Sequence, residues 1–156
     1  MELNNSVLIR KKIMDFLSRR EHSKKEILNK LYRRVSSVEL LEAEVEVLTQ
    51  EGLLDDKRFA EQYIYSRENK GMGPKRIKNE LREKGVQDVI IEELLAEKNW
   101  VEQAKKVLIK KTKTGLPEDK KQMLKLKKFL YYRGFEHSDI EGAIKLVGLS
   151  SNLILD

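Results

Sequence analysis

The chain has 156 residues, 37% of them charged, with a formal net charge of +6 and no cysteine. Disulfide and thiolate chemistry are therefore excluded, and no apolar run approaches the roughly 18–20 residues of a membrane span. The positive balance suits a polyanionic partner, and the absence of cysteine fits a cytoplasmic setting.

Apolar residues recur at the helical period along the whole sequence, and strand alternation is nearly absent. The opening MELNNSVLIRKK lacks the apolar core and cleavage site of a signal peptide. Val7, Ile9, Ile13, Phe16 and Leu17 form the first helical stripe. Ser23 and Glu26 have capping-box spacing and open a second helix through Ile27, Leu28 and Leu31. Ser37 is placed to cap a third helix through Leu40, Leu41, Val45 and Leu48, closed by Gly52. Asp55 or Asp56 then starts a helix with Phe59, Ala60, Tyr63 and Ile64 inward, and Gly71 ends it. Gly73-Pro74 begins the next, with proline at the first helical position, where its missing N–H costs nothing. Ile77 and Leu81 lead to a stop at Gly85, followed by a helix over Val89 to Leu95. Trp100, Ala104 and Leu108 carry a helix toward Gly115, and Leu116 to about Lys121 connects to another through Leu124 and Leu130, ending at Gly134. Ser138 is expected to cap a short last helix through Ile140, Ala143 and Ile144, with SSNLILD frayed or folded onto it.

These segments repeat. Ile27, Leu31 and Val35 return as Ile77, Leu81 and Gly85 after fifty residues, and as Leu126, Leu130 and Gly134 after a further forty-nine. Ala60 and Gly71 share their spacing with Ala104 and Gly115. A period near fifty holding three helices marks a tandem helical array, and such arrays usually bind things. The expected fold is all-α: three tandem three-helix repeats forming an elongated, curved array, over residues 1–54, 55–98 and 99–156.

Charge alternates in phase with the repeat. Arg10 to Arg34 carry ten bases against three acids, whereas Val35 to Leu54 carry five acids and no base. Arg67 to Lys84 carry seven bases against three acids, and Gly85 to Glu97 four acids and no base. Lys98 to Arg133 carry twelve bases against three acids, and Phe135 to Asp156 four acids against one base. Any single run is usually a solvated helix face, but three in phase predict a basic edge and an acidic edge.

The residues offer little for catalysis. His22 and His137 are the only histidines and fit no metal-ligand spacing. Acid pairs such as Glu92-Glu93 have no histidine near them in sequence. GMGPK at 71–75 lacks the spacing and hydroxyl of a phosphate loop; a helix stop followed by a proline-started helix accounts for it. The new helix N-terminus beside Lys75 nevertheless offers N–H groups suited to a phosphate. Tyr63 and Tyr65 lie near Arg67, and Phe129, Tyr131 and Tyr132 near Arg133, an interleaving suited to single strands. Tyr63 and Phe129 are expected in the core, and Tyr65, Tyr131 and Tyr132 outside it. No catalytic residue, cofactor or metal is expected. Ser23 to Leu31 and Ser37 to Leu48 also have the outline of a helix-turn-helix, so a winged-helix DNA-binding transcriptional regulator stays open, as does a helical-repeat protein–protein adaptor.

Leu54-Asp55-Asp56-Lys57-Arg58-Phe59-Ala60, then Arg67, Gly71, Pro74-Lys75, Ile77, Leu81 and Lys84-Gly85-Val86, resemble the central signature of the RecX regulatory proteins. Lys128-Phe129-Leu130-Tyr131-Tyr132-Arg133-Gly134-Phe135 resembles that family's final element. Val35 departs from the glycine usual at its place, and Gly73 stands where Lys, Arg or Ser is commoner. The resemblance implies a non-enzymatic bacterial cytoplasmic inhibitor of the RecA recombinase, lodged in the groove of the RecA–DNA filament, limiting filament growth, strand exchange and ATP hydrolysis. Expected partners are the RecA filament and single- and double-stranded DNA without sequence preference, with no membrane and a monomeric chain. Expected contact residues are Arg33 and Arg34 in the first repeat and Arg67, Lys75, Arg76, Lys78 and Arg82 in the second. In the third they are Lys105, Lys106, Lys110, Lys127, Lys128 and Arg133.

Overall fold

A computed structural model describes residues 2–113 and 115–155, with 150–155 described by their backbone alone. Among the described residues there are nine helices: α1 (Ser6–Arg19), α2 (Lys24–Leu31), α3 (Val38–Gln50), α4 (Asp56–Asn69), α5 (Pro74–Glu83), α6 (Asp88–Ala96), α7 (Trp100–Lys111), α8 (Lys120–Tyr132) and α9 (His137–Leu155). The fold is all-α, and the only strand-like pairing among these residues is an isolated parallel bridge between Leu3 and Val35. No helix among them is long and apolar enough to cross a membrane. The chain divides into two compact units, one of Met1–Tyr63 with Leu81–Ile91, the other of Ile64–Glu80 with Glu92–Asp156.

In the first unit, Ile9 and Ile13 of α1, Ile27 and Leu31 of α2, and Leu41, Val45 and Leu48 of α3 close on one another with Leu3 and Leu54. Each fully buried aliphatic side chain contributes about 1.5–3 kcal/mol. Val7, expected inward, is 73% exposed; it sits two residues, about 200° of helix, from Ile9. Leu3 is buried because its N–H donates to the Arg34 carbonyl (2.8 Å) and its carbonyl accepts from Ser36 N–H (3.0 Å). Three consecutive helix starts are capped as their residue types predict. Asn5 accepts from Leu8 N–H, Ser23 and Glu26 form the full capping box, and Ser37 accepts from Leu40 N–H.

The adjacent aspartates divide their work. Asp55 caps its own helix, accepting from the N–H groups of Lys57 (2.9 Å) and Arg58 (3.3 Å). Asp56 instead accepts from the Lys24 N–H at 2.9 Å, covering the first turn of α2. Behind them runs α4, with Phe59 and Ala60 buried and Tyr63 half-buried, so the ribbon that a winged helix requires is replaced by a helix.

In the second unit, Ala104 and Leu108 of α7, Leu126 and Leu130 of α8, and Ile140 and Ala143 of α9 enclose Phe135, with α7 and α9 packed along each other. Leu124, expected on the inner stripe, is 53% exposed; it too lies two residues from an inward position, Leu126. Ser138 does not cap α9: the helix starts at His137, and Asp139 reaches back to the Glu136 N–H at 3.2 Å. Nor is the last helix short, since its backbone is helical to Leu155, through most of the expected frayed tail.

Candidate functional site

Each unit contains the same joint, a glycine turn seated on the start of a helix. In the first unit the Lys84-Gly85 turn that ends α5 meets the start of α2, where the Ser23 hydroxyl donates to the Lys84 carbonyl at 2.7 Å. In the second, the Arg133-Gly134 turn that ends α8 meets the start of α5. There Gly73 N–H donates to the Arg133 carbonyl (2.7 Å) and Lys75 N–H to the Gly134 carbonyl (2.9 Å). The α5 amide of Lys75 is thus occupied by the turn, which corrects the expectation of open N–H groups there for a phosphate. The Gly134 backbone has φ +101°, and a Cβ on it would overlap the Arg76 backbone and side chain. A Cβ on Gly73 would overlap the Gly134 carbonyl group, the physical reason that glycine stands at this position.

Beside the first joint, His22 is buried against Phe16, with Nδ1 3.1 Å from the Arg20 carbonyl and Nε2 2.9 Å from the Lys30 ammonium. A carbonyl only accepts, so the neutral ring carries its proton on Nδ1 and offers Nε2 to Lys30. Burial is the main cause holding His22 below the ordinary histidine value; the Arg20 carbonyl opposes it and the Arg20 and Lys30 charges add to it. Burial likewise lowers Lys30, reinforced by Arg20. For Glu26, burial pushes upward but is outweighed by Arg20, the Ser23 N–H and Lys84, leaving the carboxyl below its usual value.

The expected contact residues fall into two groups. Some are held by acids: Arg67 by Glu80 at 2.7 Å, Arg82 by Asp88 at 2.7 Å, Lys127 by Glu141 at 2.9 Å, Lys105 by Glu102 at 3.6 Å, and Lys78 by Glu92. The others are Arg33, Arg34, Lys75, Arg76, Lys106, Lys110, Lys128 and Arg133, which make no ion pair within 4 Å among the described residues. Arg33 stacks on Tyr32, 5.3 Å from the ring centre, and its Nε donates to the Tyr32 hydroxyl. Arg33 and Arg34 are exposed in the turn after α2.

Within the second unit a cleft of about 560 Å³ gathers Lys106, Lys110 and Arg133 with two cations that sequence reasoning did not select, Lys70 and Lys111. Glu68 is the one acid on its lining, and Lys98 holds that carboxylate at 3.1 Å. Phe129 forms the apolar floor, with Lys111 4.7 Å and the Arg133 guanidinium 4.9 Å from its centre. Arg133 also donates to the Lys70 carbonyl at 2.9 Å, which ties α8 to the end of α4. Lys70, Lys106, Lys110 and Lys111 have no acid within 4 Å among the described residues, so the concavity keeps its positive field. The α7 register, which brings Lys106 and Lys110 together one turn apart, was the signal available in sequence; Lys70 gave none. Tyr65, Tyr131 and Tyr132 are exposed as expected, at 65%, 52% and 73%, while Phe129 is half-buried against the core. Among the described residues no three His, Asp or Glu side chains converge as metal ligands.

Residues 55–95 match the second three-helix domain of RecX, and residues 97–144 match its third. A regulatory protein RecX of Halorhodospira halophila is 39% identical over 140 residues, covering 88% of this chain and 87% of that protein. One from Pseudomonas syringae pv. tomato is 38% identical over 135 residues, covering 85% and 87%. Among solved structures, RecX from Lactobacillus salivarius superposes with a TM-score of 0.80 at 25% identity, covering 92% of this chain and 97% of that one. A second RecX crystal structure gives 0.75 at 26% identity, covering 87% and 71%.

Proposed function

Because this chain belongs to the RecX family of regulatory proteins, we propose that it inhibits a RecA recombinase, binding in the groove of the RecA–DNA filament. There it limits filament growth, strand exchange and ATP hydrolysis. The observation that carries this reading is the cleft of the second unit, whose four lysines have no acid partner and whose arginine is fixed by a carbonyl. Such a surface meets phosphates through charge, with no base edge read, so contact is independent of sequence. The three repeats over 1–54, 55–98 and 99–156 act as the working units of a monomeric, non-enzymatic, cytoplasmic protein. Lys75, Arg76, Lys106, Lys110, Lys128 and Arg133 make the principal contacts, with Arg33 and Arg34 adding to them from the first repeat. Arg67, Lys78, Arg82, Lys105 and Lys127 reach the filament by exchanging an internal carboxylate for an external one or for a phosphate.

The test is the ATPase rate of RecA on single-stranded DNA, titrated with the protein and with Lys106→Ala/Lys110→Ala. Suppression by the wild type at substoichiometric amounts, relieved in the variant, supports the reading. Each lost phosphate contact lowers the slope of log affinity against log salt by about 1. A folded protein that leaves the ATPase untouched at excess sinks it, and a flat salt response removes the electrostatic part.

A further inference from the structure

The last turn of α8 carries a feature that charge alone does not explain. Tyr131 and Tyr132 stand side by side, ring centres 6.1 Å apart and edge to face, and both are more than half exposed. Lys121, Lys125 and Lys128 lead up to them, exposed, at spacings of four and three residues, which place them on one helix face with Tyr132. None of these lysines has an acid within 4 Å among the described residues. The Lys75 ammonium lies 5.0 Å from the centre of Tyr131, so one ring is partnered by a cation, while Tyr132 is 73% exposed.

A large ring left in water amid unpaired cations suits a ligand that is both planar and anionic. A duplex offers phosphates, but its base faces are already stacked on one another. An unpaired strand offers both, because every free base has a face to stack. We infer that Tyr132, braced by Tyr131, is a stacking platform for a base of a single strand, and that Lys75 and Lys128 take the flanking phosphates. This rests on the nucleic-acid contact proposed above and adds that the surface distinguishes unpaired from paired DNA.

The experiment is fluorescence anisotropy of a labelled oligothymidine and of a duplex of equal length at one salt concentration. It uses the full chain, Tyr132→Ala, Tyr132→Phe and Lys106→Ala/Lys110→Ala. Stacking is worth about 1–3 kcal/mol per base, so Tyr132→Ala loses roughly tenfold in affinity for the single strand. Its duplex affinity stays within about twofold, and Tyr132→Phe, which keeps the ring, binds both like the wild type. The lysine variant weakens on both DNAs. Wild-type binding of both DNAs with Tyr132→Ala unchanged, or equally weakened on each, overturns the platform while leaving the DNA contact standing. A Tyr132→Ala defect seen only when RecA is present overturns it in favour of a protein contact. Wild-type protein that binds neither DNA overturns both.

Discussion

The two joints solve one problem with different atoms. At the first, a serine hydroxyl bridges the gap between the α2 start and the Lys84 carbonyl; at the second, the Gly73 amide reaches the Arg133 carbonyl directly. A side chain as spacer leaves some slack between backbones: a Cβ on Gly85 would meet the Lys25 side chain, Cβ at 2.7 Å and Cδ at 3.0 Å, before any backbone atom. Direct backbone contact leaves no such slack: Gly134 faces the backbone of Arg76, and Gly73 faces the Gly134 carbonyl. Equivalent positions of a repeat thus acquire different residue requirements once the spacing between backbones changes by one side chain.

Substitution of the turn glycines breaks the comparison most sharply. Gly134→Ala combines a left-handed backbone with overlap against backbone atoms and is expected to destabilise by roughly 3–5 kcal/mol in urea unfolding. Gly85→Ala adds to its left-handed backbone a clash with the Lys25 Cβ at 2.7 Å, which α2 holds in place, so the loss is about 2–3 kcal/mol. Equal losses would show that the two joints are equally tight. Next in size is Ser23→Ala, which removes both the cap on Glu26 N–H and the donor to Lys84, for about 2 kcal/mol. Asp56→Ala, which uncovers only the Lys24 N–H, should cost about half that, about 1 kcal/mol.

The joints also differ in their response to acid. His22 precedes Ser23, and fifty residues later the matching position is Met72. The folded His22 pKa is depressed, chiefly by burial. Its contribution to stability is therefore complete above the unfolded value of about 6.5 and declines as pH falls below it. Glu26, also depressed, adds a loss of the same sign only below about 4.5. Urea midpoints measured between pH 7.5 and 5.5 should fall, and His22→Gln should flatten that slope. A wild-type slope of zero would mean that His22 titrates as in the unfolded chain. The smallest effect belongs to Lys84→Ala, whose partners are Glu26 at 3.6 Å and the Tyr63 ring; a half-exposed pair of this kind is worth about 0.5 kcal/mol.

Much of this architecture is written locally. Ser23 with Glu26, Ser37 before Leu40, Gly73-Pro74 and the glycine stops each act within one turn of chain, so their helix ends were legible from neighbours alone. Val7 and Leu124 are apolar but exposed, because each lies two residues, about 200° of helix, from a buried position. Ser138 has the residue type of a cap but lies inside α9, and the side-chain contact at the helix start is the reciprocal one, from Glu136 N–H to Asp139. The candidate site was less legible. Lys70 and Arg133 are sixty-three residues apart and meet only through the fold. Which cations face an acid, as Lys78 does, and which do not, as Lys110 does not, depends on neighbours that local sequence does not reveal.

The reach of Asp56 back to Lys24 and of Lys84 back to Ser23 has a consequence for a chain as it is made. The α2 start waits for a residue thirty-two positions downstream and then for one sixty-one positions downstream. The first unit is not finished until Ile91 has left the ribosome. At roughly 5–20 residues per second, the interval between residues 56 and 84 is roughly 1–6 s. During that time only the aspartate is available to the α2 start, so translation speed sets how long the second contact is missing.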